Sequence, residues 1–66
     1  MKRYLIHHGH GGTFDVVVDG DEQWIEHVTR HNRERFSIEE FKISATGKAF
    51  AGQLNAALDR AAKPRS

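Results

Sequence analysis

Cysteine is absent from the 66 residues, so neither a disulfide scaffold nor a thiolate metal site is available to this chain. There is one proline, one tryptophan and one tyrosine. No apolar run approaches the roughly 18–20 residues of a membrane span, and no signal-like segment precedes the first charges. An excess of charge is missing too. Ten Lys+Arg face nine Asp+Glu, a formal net charge of +1, which argues against a basic nucleic-acid tail or an acidic solvating one. Hydrophobic residues make up 38%, and seven of them are alanine, so the core is small and stability should be on the order of a few kcal/mol. These limits point to a cytoplasmic single domain over residues 1–66, with residues 64–66 as a loose tail.

Lys2 to His8 is rich in aromatic and β-branched residues and reads as a strand. Gly9-His10-Gly11-Gly12 reads as its turn. Residues 13–19 then alternate, Phe14, Val16 and Val18 on one face and Thr13, Asp15, Val17 and Asp19 on the other, which predicts a β-hairpin with Val17 toward water. Asp19-Gly20-Asp21-Glu22 resembles a capping box, followed by a helix to about Glu34 with Trp24, Ile25 and Val28 on its apolar arc. Phe41-Lys42-Ile43 suggests a third strand at about 39–44, although Ser37-Ile38-Glu39-Glu40 could instead cap a helical turn. From Thr46 onward, Phe50, Leu54, Ala57, Leu58 and Ala61 form one helical stripe, capped by Thr46 or Ser44 and stopped by Pro64. The expected fold class is α+β, in the order β-β-α-β-α, with a three-stranded sheet and two helices packed on one face.

Five histidines are the most unusual feature of the composition. His27 and His31, spaced i,i+4 on the expected helix, could share a metal with His8 and His10 of the loop. The first His of the helical pair is followed by Val28 rather than by the Glu of a zinc protease, and Arg30 inside the pair would repel a cation. Surface histidines are therefore the preferred reading, with no cofactor and a zinc-stabilised domain as an alternative. The glycine loop is followed by a strand rather than a helix, which speaks against phosphate binding. For catalysis, a His beside Asp15, Asp19 or Asp21 with Ser37 or Ser44 as nucleophile makes no recognisable motif, and a chain this short leaves little room for a water-excluding pocket. Arg30, Arg33 and Arg35, with Lys2 and Arg3, could contact nucleic acid, but Tyr4 is the sole aromatic expected to be exposed for stacking. Binding to another macromolecule remains, and its expected surface is the polar helix face with Glu22, Glu26, Arg30 and Arg33.

In its short chain, its lack of cysteine, its start Met1-Lys2-Arg3-Tyr4-Leu5-Ile6 and its α+β build without catalytic motifs, the chain resembles the small inhibitors of phages and mobile elements, anti-CRISPR proteins in particular. That resemblance implies a non-catalytic inhibitor of a host defence complex that sterically blocks target-DNA binding or nuclease recruitment. Its partner would be a CRISPR effector complex in the bacterial cytoplasm, with direct nucleic-acid binding as the alternative and no membrane contact. Many such proteins carry acidic surfaces. Here the net charge is +1, and the acidic residues available for a local patch are Asp15, Asp19, Asp21, Glu22 and Glu26.

Overall fold

The computed structural model describes residues 1–63 of the chain, so the expected tail at 64–66 and the stop at Pro64 lie outside the described residues. The predicted hairpin forms as β1, Lys2–Gly9, and β2, Gly12–Asp19. Its tip closes through Gly12, whose φ of 106° belongs to the region that favours glycine. An irregularity between Leu5 and His7 inserts Ile6 as an extra residue in β1, so that Tyr4 opposes Val16 while His7 opposes Phe14.

The expected helix after Asp19 does not form. Asp19-Gly20-Asp21 is the turn of a second hairpin, with Gly20 at φ 63°, and β3 follows as Glu22–Val28. A Thr29–Asn32 turn, closed by the Thr29 N–H donating to the Asn32 carbonyl at 2.8 Å, leads to the four-residue β4, Arg33–Phe36. The sheet is therefore a four-stranded antiparallel meander in the order β1-β2-β3-β4. In β3 both faces are buried, Ile25 on one side and Trp24 and Glu26 on the other, which hides the period of two from a sequence reading.

The strand expected at 39–44 is helix α1, Ile38–Ile43, because the Ser37 capping box prevails. The Glu40 N–H donates to the Ser37 hydroxyl and the Ser37 N–H donates to the Glu40 carboxylate. Phe41 then faces the core while Ile43 is 74% exposed and Lys42 lies on the helix rather than on a sheet face. The expected C-terminal helix is split into α2, Ala45–Ala49, and α3, Ala51–Ala62, by a break at Phe50. Ser44 caps α2, its hydroxyl accepting from the Gly47 N–H. Gly47 is required there, since a Cβ would come within 1.7 Å of the Phe41 carbonyl oxygen.

The chain is thus α+β, with four strands and three helices instead of three and two. Phe41, Leu54 and Ala57 from the helices pack on Ile6, Val16 and Ile25 from the sheet, with Phe14, Val18, Phe36, Phe50 and Leu58 around them. The predicted apolar stripe of the last helix is therefore the one that seals the core. All of this packing is on one side of the sheet. No helix among the described residues is long and apolar enough to cross a membrane.

Candidate functional site

Strand pairing sets the side chains of the helix-free face in three rows. Arg3, Val17 and Trp24 form one, Leu5, Asp15, Glu26 and Arg35 the next, and His8, Thr13, Val28 and Arg33 the third. With no second layer above them, Val17 is nonetheless fully buried and Trp24 is 8% exposed. Over Trp24 a long side chain provides the cover. The Arg35 guanidinium lies over the Trp24 ring at 4.0 Å from the centroid, a cation–π contact that shields the indole.

Glu26 is the centre of this face and is 4% exposed. Its Oε1 accepts from Arg3 Nη1 at 2.6 Å and from Arg33 Nη1 at 3.3 Å, and its Oε2 accepts from Trp24 Nε1 at 2.9 Å. Burial pushes its carboxyl upward, but the indole hydrogen bond and the Arg3 and Arg33 contacts together outweigh that, so it lies below the ordinary glutamate value. Asp15 stands directly opposite Glu26 across the β2–β3 pair, with Arg3 at 3.9 Å. Burial raises its carboxyl, Arg3 pulls it down, and the neighbouring Glu26 charge raises it further; the net displacement is upward.

The four residues expected on one helix face are distributed differently. Glu26 and Arg33 meet at the centre of the bare face. Glu22 opens β3 beside the exposed β2–β3 turn, and Arg30 is exposed in the β3–β4 turn beyond its far end. The five candidate acids likewise make no continuous patch, because Asp19, Asp21 and Glu22 belong to that exposed turn while Asp15 and Glu26 are drawn under the arginines. Of the residues that meet here, Trp24 carried no site reading, Arg3 and Arg35 were expected only as nucleic-acid contacts, and Asp15 only as a catalytic or acidic-patch candidate. The Asp-Gly pair at 19–20 between two apolar runs is a hairpin signal, and following it would have aligned them.

The histidines separate as well. His27 is in a strand and His31 in a turn, so the expected i,i+4 pair on a helix does not exist. His8 Nδ1 is hydrogen-bonded to the Thr13 hydroxyl at 2.8 Å on the bare side, and His10 is exposed at the hairpin tip. His27 lies on the helix side, stacked on Phe14 with 4.0 Å between centroids. Its Nε2 donates to the Gly11 carbonyl at 2.6 Å. Among the described residues, no three His, Asp or Glu side chains converge as metal ligands.

No known relative matches. The chain corresponds to no family model, no curated protein and no solved structure.

Proposed function

We propose that this protein is a non-catalytic protein-binding module that docks through the bare face of its sheet, with Arg3, Arg33 and Arg35 as the contact residues. The observation that carries the reading is the preorganisation of the arginines. Arg35 is held flat on Trp24, and Arg3 and Arg33 share the Glu26 carboxylate, so little side-chain freedom is lost when a partner arrives. Tryptophan and arginine are also the residue types that dominate binding energy at protein interfaces.

A protein partner is favoured over nucleic acid for two reasons. Asp15 and Glu26 offset two of the three arginine charges, leaving a mixed surface with the apolar Leu5 half-exposed in it. The indole is covered by Arg35 and offers no ring on which a base could stack. The non-catalytic part of the reading rests on the state of the nucleophile candidates. The Ser37 hydroxyl accepts from Glu40 N–H, and the Ser44 hydroxyl donates to the Phe41 carbonyl while accepting from Gly47 N–H.

The resemblance in size and build to anti-CRISPR proteins makes steric inhibition of a CRISPR effector complex the first case to test. Tagged protein is used to capture partners from a bacterial lysate containing such a complex, after nuclease treatment, beside an R33E/R35E variant. The reading expects stoichiometric effector subunits on the wild type and none on a variant with unchanged circular dichroism. Retention that disappears with nuclease would transfer the argument to nucleic acid. Equal retention by the variant would remove the arginine face as the interface.

A further inference from the structure

The other side of the sheet carries a feature that the binding-module reading does not use. A cavity of about 300 Å³ opens between β2–β4 and the α1–α2 corner, lined by Phe14, His27, Glu34, Phe36, Phe41, Ser44 and Thr46. It exists because the corner is built of small residues, Ser44-Ala45-Thr46-Gly47, whose close backbone approach is fixed by Gly47, and because Ile43 points away to solvent. The volume is about twice that of an engineered cavity that holds benzene, and it reaches the lower bound of small-ligand pockets. It has room for one ring and a short arm.

Its lining is chemically one-sided. Three phenyl rings supply apolar walls with electron-rich faces, and Glu34 is the one carboxylate in the lining, which contains no lysine or arginine; its chain neighbours Arg33 and Arg35 belong to the opposite face of the sheet. The hydroxyl of Ser44 is already engaged at the helix junction. The walls are held in place before any ligand arrives. Phe14 and His27 stack with 3° between their planes, and His27 Nε2 is anchored on the Gly11 carbonyl; Nδ1 lies 3.4 Å from Glu34 Oε1, where the neutral ring, its proton on Nε2, offers a lone pair and leaves the carboxylate without a donor. Glu34 is also half-exposed, so a polar group bound to it keeps contact with water at the solvent end.

We propose that this cavity binds a small organic cation, an ammonium group on an aromatic or branched-alkyl body, with the body among Phe14, Phe36 and Phe41 and the ammonium on Glu34. The aromatic walls and the carboxylate favour a cation together, an anion is repelled by Glu34, and a neutral isostere loses the charge-assisted hydrogen bond. The site is on the opposite side of the sheet from the arginines, so either assignment can fail alone.

The test is an ¹H–¹⁵N correlation titration of the intact protein with three probes of one shape: 2-phenylethylammonium, 2-phenylethanol and 3-phenylpropionate. The proposal expects saturable shifts at the amides of the lining residues, and at least about tenfold tighter binding of the ammonium than of the alcohol. Glu34→Gln, at a half-exposed side chain, should keep the fold and bring the ammonium down to the affinity of the alcohol. The proposal is overturned by the absence of saturable shifts with the ammonium, by shifts that map away from the cavity, by equal or better binding of the alcohol or the propionate, or by an ammonium preference that survives in Glu34→Gln.

Discussion

Both faces of this sheet bury side chains, but by different means. On the helix side, Val16 and Ile25 disappear under Phe41, Leu54 and Ala57, carbon against carbon. On the other side, Val17 is just as completely buried with no helix above it, and Trp24 lies under a guanidinium. A second layer of secondary structure is thus not needed for near-complete burial; over Trp24 a single arginine side chain supplies the cover. The two kinds of burial should respond differently to mutation, to acid and to loss of a single cation.

The helix side should fail outright. Phe41→Ala is expected to cost about 3–5 kcal/mol, comparable with the whole stability of a domain this size, and thermal melting by circular dichroism should show little folded protein. Gly47→Ala should be as damaging, since its Cβ would collide with backbone rather than with a side chain that can turn away. A cooperative melt close to that of wild type in either variant would mean that the α1–α2 corner is not fixed by close packing.

The bare face should weaken without collapsing. Glu26→Gln leaves Arg3 and Arg33 without their shared charge, and because both arginines are partly solvated the expected loss is about 1–2 kcal/mol. If the loss instead matches Phe41→Ala, the two faces do not differ in kind.

Acid should separate them further, with opposite signs from the two carboxylates. The folded-state value of Glu26 is lowered, so its stabilising share is complete above the unfolded glutamate value and is lost as pH falls through the lowered folded value. That of Asp15 is raised, so its protonation favours the folded state as pH falls, and its favourable share is lost as pH rises through the raised value. Between about pH 6 and pH 3, Glu26→Gln should therefore lose less melting temperature than wild type, and Asp15→Asn should lose more. Identical slopes in all three proteins would show that neither carboxylate governs the acid response.

The smallest effect is expected from Arg35→Ala, which removes the cation over the indole at a cost of about 0.5–1 kcal/mol. Trp24 is the sole tryptophan, so its emission should move to the red as water reaches the ring. An unchanged emission maximum would show that Arg35 is not the cover.

What could be read from the sequence follows the same division. The hairpin announces itself by the glycine-rich turn between two β-prone runs, and the Phe50–Leu54–Ala57–Leu58 stripe by one apolar face with a single helical period; both are found in the fold. Residues 22–28 carry apolar or buried side chains on both faces, so Trp24, Ile25 and Val28 imitate a helical arc and Glu26 looks like a solvated acid. Its burial depends on Arg3, twenty-three positions earlier, a pairing that no local pattern contains. At 37–40 both answers were visible, and the reciprocal hydrogen bonds of Ser37 and Glu40 decide for the helix over the β-prone Phe41-Lys42-Ile43. The cavity could not be read at all, because its wall at Phe41 and Ser44 belongs to helix α1 and its cap, with Ile43 turned outward, where a strand was expected.

The extra residue in β1 has a meaning beyond the core it helps to fill. β1 is an outer strand of the sheet, and an uninterrupted outer strand of its length is a template on which another chain's strand can grow. The break between Leu5 and His7 bends the strand and divides its edge into shorter runs, the first of them bearing Lys2 and Arg3. An incoming strand that matched one run would be out of step with the next. The insertion that carries Ile6 into the core therefore also shortens the continuous template that this edge presents.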